Sequence, residues 1–322
     1  MILLISIFTV GCSSRDPGID LGQAEAVVHG TPYEYARIRM GTRVRILIDA
    51  GDEFQARQAA QEAFRSITQL EMVLSDYNPE SEIRLLEEKL HGKPHRVSPE
   101  LASALSRSLE LSAETGGAFD VTCGSLTRLW RVAFESGQPP GDEAISTAME
   151  SVGWNRVEVD EQASVVTFHE QGTTIDFGGF GKGLAADVAL AVLAEHGCSR
   201  ALVDIGGDLA IGDPPEGRSG WSVGIALDSG RSTRNMDVAN CGIATSGDSE
   251  QYLEHGGIRY SHVLDPRSGQ ALTTGYAVTV LAGDAATADA LASALSVLGP
   301  GSGSQLPSSL EGVQIVADST TP

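Results

Sequence analysis

Segments with strand-like and helix-like patterns follow one another along this chain without a repeating strand–helix unit, and this irregular order constrains the fold most. Alternating or short apolar runs predict strands at 43–49, 201–205, 221–227, 236–239, 259–264, 276–281 and 313–317. Apolar residues at helical spacing predict helices after Asp52, at Pro99 behind Ser98, after 178–183 and at 285–298. Such a mixture predicts one α+β domain.

The middle of the chain, residues 154–177, predicts a β-meander. Two alternating runs flank a turn at 161–164, and a third strand is expected at 173–177. We assign the domain to residues 37–318, with a short tail at 319–322. A domain of this size buries enough apolar surface to fold without disulfides or a structural metal.

The chain is strongly acidic, with 22 Lys and Arg residues against 43 Asp and Glu residues and a formal net charge of −21. Such a surface repels phosphate backbones, so we expect no nucleic-acid partner. It repels other anions too. A phosphate-binding site in this chain therefore needs a local metal ion or local hydrogen-bond donors.

The N-terminus is similar to a bacterial lipoprotein signal. Residues 1–10 are apolar but too few to span a bilayer, and Gly11-Cys12-Ser13-Ser14 follows. This pattern predicts a signal peptide at 1–11, acylation of the Cys12 thiol and a polar tether at 12–36. The protein would then be lipid-anchored in the cell envelope, on the periplasmic side of the membrane. The alternative is a buried N-terminal strand with an incidental cysteine.

The other cysteines, Cys123, Cys198 and Cys241, have no CxxC spacing. This spacing argues against a zinc site and a disulfide framework, so we interpret all three as packed thiols.

The segment 176–183, DFGGFGKG, is a glycine-rich loop between a predicted strand and a predicted helix. It does not match the Walker A pattern, because Asp176 stands where the first glycine belongs and Gly183 where Ser or Thr belongs. It does not match the dinucleotide-binding pattern either, because Leu184 occupies the third glycine position. Two interpretations remain open: backbone N–H groups and Lys182 bind an anion, or the loop is a tight turn with a solvated lysine.

Two further turns, 204–208 and 242–247, combine glycines with a carboxylate or with hydroxyls. Together, the three glycine-rich turns indicate a large or phosphate-bearing ligand. On the last predicted helix, Asp289 and Ser293 lie one turn apart on the same face. They could supply two oxygen atoms to a hard cation such as Mg²⁺, or form a plain polar face.

Several stretches occur in the order and approximate spacing of the ApbE family of FAD:protein FMN transferases, and the chain resembles that family over about residues 37 to 317. They are FDVTCGSLTRLW (119–130), IDFGGFGKGLAAD (175–187), ALVDIGGDLAIG (201–212), IATSGD (243–248), YSHVLDPRSG (260–269) and ADALASALSVLG (288–299). Met40-Gly41-Thr42 and LSDYNPESEI (74–83) match earlier family segments.

The resemblance implies a single α+β domain of the T-fold type that binds FAD as substrate. It implies Mg²⁺-dependent transfer of FMN to a Thr or Ser hydroxyl of an acceptor redox protein that carries a flavinylation motif, with release of AMP. The implied metal ligands are Asp289, Ser293 and the carbonyl of Gly181. The implied catalytic residues are Lys182 and His262, with His262 as the base. The residues implied to contact FAD or shape its pocket are Met40, Tyr77, Asp120, Lys182, Asp208, Thr245, Ser246 and His262.

The chain departs from the family pattern at three places. Ser293 replaces a threonine and Gly181 replaces an alanine, and both changes keep the ligand oxygen. The pattern SxISRLN ends here as SEIRLLE (81–87), with Glu87 in place of asparagine and Leu85 in place of arginine. Two other functions are therefore retained as alternatives, a Mg²⁺-dependent FAD pyrophosphatase that yields FMN and AMP, and a non-catalytic flavin-binding lipoprotein.

Overall fold

The computed structural model describes residues 32–89, 92–227, 232–247, 252–307, 310 and 312–320. Cys12, the predicted signal peptide and most of the predicted tether lie outside the described residues. Within the described ranges, no helix is both long enough and apolar enough to cross a bilayer.

The order of strands and helices is mixed, which confirms the predicted α+β class. The strands are β1 (Tyr33–Arg39), β2 (Thr42–Ile48), β3 (His95–Arg96), β4 (Val157–Asp160), β5 (Val165–Phe168), β6 (Ala201–Ile205), β7 (Asp208–Ile211), β8 (Trp221–Leu227), β9 (Ser232–Val238), β10 (Cys241–Ser246), β11 (Tyr252–His255), β12 (Ile258–Ser261), β13 (Leu264–Asp265), β14 (Gln270–Ala271), β15 (Tyr276–Ala282) and β16 (Gln314–Thr320). The helices are α1 (Glu53–Leu74), α2 (Glu82–Glu87), α3 (Pro99–Glu114), α4 (Gly124–Ser136), α5 (Asp142–Met149), α6 (Gly181–Glu195) and α7 (Ala285–Leu298).

The main sheet of the described residues has seven strands in the order β1-β2-β6-β7-β10-β15-β16, and every neighbouring pair is antiparallel. Successive side chains on a strand point to opposite faces. On β10, Ala244 packs with α7, whereas Ile243 packs with the β8–β9 ribbon. The sheet therefore lies between a layer formed by α1, α6 and α7 and a second layer formed by the ribbon.

Helix α6 packs closely against its neighbours because its buried face is made of small residues. That face consists of Gly181, Gly183, Ala185, Ala186, Ala189 and Leu193. Helix α1 presents Ile67 and several alanines to the same core, and β2 contributes Ile46. Each large aliphatic side chain buried there stabilises the fold by roughly 1.5–3 kcal/mol relative to an exposed one.

A smaller helical part of the molecule is built from α4, α5 and the β13–β14 hairpin. Leu126, Trp130, Ile145 and Leu264 form its core. The indole N–H of Trp130 donates to the carbonyl oxygen of Gly269 at 2.9 Å, which attaches α4 to the hairpin.

Local sequence signals place the starts of α1, α3 and α7 correctly, whereas α6 begins at Gly181, inside the predicted loop 178–183. Asp52 caps α1, Ser98 caps α3 with Pro99 in its first turn, and Asp284 caps α7. Each cap side chain accepts a hydrogen bond from a backbone N–H of the first turn, as N-cap residues do. Helix α7 spans the predicted residues 285–298 and ends at Gly299.

The predicted third strand at 173–177 is wrong. Its backbone makes an isolated bridge between Cys123 and Thr174 and a hydrogen bond from Asp176 to Val121, and the amide of Ile175 donates to the carboxylate of Glu87. The sheet that contains the two correctly predicted strands, β4 and β5, has the order β3-β5-β4, so its third strand is β3. Long-range partners, rather than local alternation, decide the conformation of this segment.

The folded sheet begins earlier than the predicted domain boundary. Strand β1 starts at Tyr33, inside the predicted tether, and pairs with β2 along its whole length from Tyr33–Ile48 to Arg39–Thr42. Helices α2, α4 and α5 are also additions to the predicted pattern.

Candidate active site

The glycine-rich loop 176–183, whose last three residues form the first turn of α6, lies where α6, α7 and β10 meet at very short range. A Cβ atom on Gly183 would lie 2.2 Å from the carbonyl oxygen of Ala285, and one on Gly242 would lie 2.2 Å from the amide nitrogen of Ala285. A Cβ on Gly179 would lie 2.7 Å from the Ser293 hydroxyl. Glycine is therefore required at these positions, because it lets the loop and α7 approach each other.

A lysine and two buried aspartates meet beside this loop, and we call these three residues the acid–lysine cluster. Lys182 donates a hydrogen bond to Asp208, and its Nζ lies 3.7 Å from Oδ2 of Asp289. The same Oδ2 accepts from the amide of Gly183 at 3.3 Å. The predicted residues Lys182, Asp208 and Asp289 thus come together from α6, β7 and α7.

The acid–lysine cluster is short of positive charge. Burial raises the pKa of Asp289 and of Asp208, and for Asp208 the charge of Asp289 raises it further against the opposing effect of Lys182. Burial alone would lower the pKa of Lys182, but the two carboxylates outweigh it and raise that pKa. Two carboxylates share one ammonium, so a further cation would stabilise the ionised cluster.

The residues present fit a magnesium ion. In the described residues, no group of three or more His, Cys, Asp or Glu side chains forms a metal-binding cluster. Asp289 is nevertheless a buried carboxylate whose contacts with Lys182 and Gly183 both involve Oδ2. Ser293 lies one turn further along α7, against Gly179. One carboxylate with neutral oxygens suits Mg²⁺, which keeps positions for water and substrate phosphates.

The tip of the β1–β2 hairpin forms one side of the loop. Met40 and Gly41 both have positive φ angles, of 50° and 70°, as a tight hairpin turn of this kind requires. The Cε atom of Met40 lies 3.9 Å from the position of a Cβ on Gly181. The structure therefore brings the predicted residue Met40 to the loop.

A separate cluster near the start of the loop consists of Tyr77, Arg131 and Asp76. Tyr77 is 75% exposed, and the guanidinium carbon of Arg131 lies 3.8 Å from the centroid of the tyrosine ring. Arg131 also donates to Oδ2 of Asp76 at 2.8 Å. Burial and the charge of Asp76 raise the pKa of Asp176, the first residue of the loop. An exposed ring backed by a guanidinium can stack on a planar ligand.

Three predicted FAD contacts have partners elsewhere in the protein. Asp120 is buried and its carboxylate accepts from Thr122 and from the amide of Trp154, so it orders two loops. Thr245 pairs with Thr279 at 2.9 Å on the sheet face opposite to α7. The carbonyl of Ser246 accepts from the Ser296 hydroxyl on α7. These contacts give all three residues structural roles, and their contact with FAD stays a prediction.

His262 lies on an exposed turn between β12 and β13. The preceding residue, Ser261, donates its amide to Leu272 at 2.7 Å, and Tyr260 packs on Trp130 with ring centroids 5.6 Å apart. On the other side, the amide of Leu272 donates to the carbonyl of Val263 at 2.9 Å, so the turn is fixed on both sides while the imidazole is exposed. Its role as a base stays a prediction.

Asp187 is a site residue that sequence reasoning missed. Its two carboxylate oxygens accept the amides of Ala285 and Ala286 at 2.9 and 2.8 Å, so α6 caps the first turn of α7. Burial raises the pKa of Asp187 to about 6. The sequence did contain a signal for this role, an aspartate among the alanines and valines of α6. A charged side chain in such an apolar helix needs a hydrogen-bonding or charged partner when it is buried.

The comparisons with known proteins agree with this geometry. Residues 40–317 match the ApbE family. The protein named FAD:protein FMN transferase of Treponema pallidum (strain Nichols) is 31% identical over 285 residues, or 83% of this chain and 79% of that protein. The protein of the same name from Escherichia coli (strain K12) is 29% identical over 309 residues, or 93% and 86%.

Solved structures share the fold. The crystal structure of the ApbE protein from Thermotoga maritima matches with a TM-score of 0.79 and 28% identity, covering 90% of this chain and 97% of that one. The apo form of the Pseudomonas stutzeri flavinyl transferase ApbE matches with a TM-score of 0.78 and 27% identity, covering 90% and 94%. Fold and site together define an α+β protein of the flavin-transferase class. The chain belongs to the ApbE family.

Proposed function

We propose that this protein transfers FMN from FAD to a threonine or serine hydroxyl of an acceptor protein and that the reaction depends on Mg²⁺. Family membership supports the reaction. The observation that carries the site assignment is the acid–lysine cluster, whose buried carboxylates share one ammonium beside the glycine-rich loop. Such a cluster offers a place for a cation at the N-terminus of a helix, where a phosphate is also favoured.

In the proposed reaction, the acceptor hydroxyl oxygen forms a bond to the FMN phosphorus of FAD. The bond between that phosphorus and the bridging oxygen breaks, and AMP leaves with the bridging oxygen. The hydroxyl proton passes to His262, whose imidazole is exposed and can act as a general base. Atoms and charges balance without an oxidant or reductant.

The residues of the chain have distinct tasks in this step. Asp289, Ser293 and the carbonyl of Gly181 would hold Mg²⁺, which when bound neutralises charge on the pyrophosphate. Lys182 orients the phosphates as a point charge, and Asp208 holds Lys182 in place. Met40 bounds the loop next to Gly181.

One reaction mixture distinguishes the proposal from the two alternatives. The protein is incubated with FAD, Mg²⁺ and a peptide that carries the motif Asp-x-x-Thr-Gly-Ala-Thr, and the products are separated by mass. Peptide carrying FMN, together with AMP, supports transfer. Free FMN and AMP without modified peptide indicate a pyrophosphatase, and unchanged FAD indicates a binding protein.

We also propose that the protein is anchored in the cell envelope through acylated Cys12. The support is the apolar run at 1–10 before Gly11-Cys12 and the polar stretch that follows. Cys12→Ser should release the protein from membranes without changing its rate on a free peptide, because the site lies far along the chain. Mass spectrometry of the mature N-terminus decides the matter, and an unmodified Cys12 or an uncleaved Met1 would contradict the anchor.

A further inference from the structure

Among the described residues, the segment 173–177 that enters the glycine-rich loop belongs to no strand and makes only the isolated bridge between Cys123 and Thr174. Its backbone N–H groups find acceptors elsewhere: Ile175 donates to Glu87 at 2.7 Å and Asp176 donates to the carbonyl of Val121 at 2.8 Å. At the other end of the loop, Gly183 donates to Asp289. A carboxylate from a different helix therefore holds each end of the loop, Glu87 from α2 and Asp289 from α7.

Glu87 is a buried carboxylate with strong partners. Its side chain is 5% exposed. Arg84 donates to Oε2 at 2.7 Å, and Arg128 of α4 donates to Oε2 at 2.9 Å and to Oε1 at 3.2 Å. A carboxylate at this depth is tolerated because charged and backbone donors replace its water. We call Glu87, Arg84 and Arg128 the Glu87 cluster.

The Glu87 cluster contains one of the departures from the family pattern. Where that pattern has asparagine, this chain has Glu87, and its carboxylate contacts Arg84. The two oxygens of a carboxylate can accept from Ile175 and from two guanidinium groups at once. An asparagine or glutamine side chain has only one acceptor oxygen, and its NH₂ group is a donor that repels the remaining N–H donors.

We propose that Glu87 is a positioning residue for the glycine-rich loop, and through it for the Gly181 carbonyl and Lys182. The proposal rests on the proposed function for the ligand involved, FAD. In this account Glu87 connects α2 and α4 to the entrance of the loop and fixes the loop before FAD binds. The departure at position 87 then serves binding rather than abolishing it.

The test compares Glu87→Gln with a matched control, Glu82→Gln. Glu82 lies on the same helix and its carboxylate accepts the amide and hydroxyl of Ser98, each at 2.6 Å, away from the loop. Both variants lose one negative charge and one set of hydrogen bonds. FAD binding in the presence of MgCl₂ is followed by flavin fluorescence, and amide hydrogen exchange is measured for peptides that cover residues 173–183.

We expect Glu87→Gln to weaken FAD binding about tenfold or more and to speed exchange in 173–183, while Glu82→Gln stays within about twofold of wild type in both. Equal weakening by the two variants, or unchanged exchange in 173–183 for Glu87→Gln, would overturn the proposal. If Glu87→Gln does not fold, Glu87→Asp keeps the charge but withdraws the carboxylate from Ile175, and the same outcomes apply. Wild-type protein that binds no FAD would contradict the proposed function, while the exchange comparison would still decide the role of Glu87.

Discussion

The acid–lysine cluster and the Glu87 cluster hold opposite ends of the same loop, yet their charges are arranged in opposite ways. In the first, Asp208 and Asp289 share Lys182, and burial raises the pKa of both carboxylates. In the second, Glu87 alone receives both Arg84 and Arg128. The cluster with too little positive charge is suited to bind a cation, and the saturated cluster is suited to hold the backbone.

The largest effect should come from Asp289. Asp289→Asn keeps the shape of the side chain but removes the charge that we propose holds Mg²⁺. FMN transfer should therefore fall by more than about a hundredfold, since even indirect changes at metal sites cost 10–100-fold. The fold should survive, because Lys182 still pairs with Asp208. Steady-state rates with trace metal removed, together with a melting curve, check both statements. Full activity in this variant would remove Asp289 from the site.

An effect of similar size should come from His262. His262→Ala should reduce transfer by about two to four orders of magnitude, the usual contribution of a general base, and should leave FAD binding intact. Single-turnover transfer and FAD titration separate the two quantities. Parallel losses of binding and transfer would make His262 a pocket residue instead.

A Tyr77 variant tests whether FAD also contacts the protein near Asp176, where the loop begins. Tyr77→Ala should weaken FAD binding by about tenfold, since stacking of a base on an aromatic side chain contributes about 1–3 kcal/mol. Tyr252→Ala is the matched control, because Tyr252 is also exposed and also lies under an arginine, with Arg259 at 3.8 Å from its ring centroid. Equal losses in the two variants would show that Tyr77 is not part of the FAD site.

The last effect concerns stability, rather than activity, near the acid–lysine cluster. The folded pKa of Asp187 is about 6 against an ordinary 3.8, so the folded protein binds this proton more tightly than the unfolded chain. Its contribution to the free energy of unfolding therefore falls as the pH rises from about 4 to about 6, by up to about 3 kcal/mol. Asp187→Asn does not titrate.

Urea unfolding of both proteins across that pH range measures this contribution. The stability of wild type relative to Asp187→Asn should decrease as the pH rises. A difference that is constant, or that increases with pH, would show that the two amides of α7 stabilise the carboxylate more than burial destabilises it.

Sequence alone predicted the parts of this molecule that depend on neighbouring residues. Helix α7 has an apolar stripe, a cap at Asp284 and a stop at Gly299, so both of its ends were predictable. The segment 173–177 was predicted wrongly because its conformation depends on Glu87, which is distant in sequence. Asp187 was missed for the same reason, since its partners lie on α7.

The residues of the candidate site were predictable only from the family resemblance. Lys182, Asp208, Asp289 and Met40 come together as expected. Asp120 was interpretable only from structure, because its oxygens are used by Thr122 and Trp154. Composition and spacing do not show which of several buried carboxylates has its partners inside the protein.

The most direct test of the account is metal binding itself. Mn²⁺, used in place of Mg²⁺, is titrated into wild type, Asp289→Asn and Glu82→Gln in the presence of FAD, and free Mn²⁺ is measured by electron paramagnetic resonance. The account predicts that wild type and Glu82→Gln bind Mn²⁺ equally and that Asp289→Asn binds it at least about tenfold more weakly. Equal binding by all three proteins would contradict the assignment of the acid–lysine cluster as the cation site.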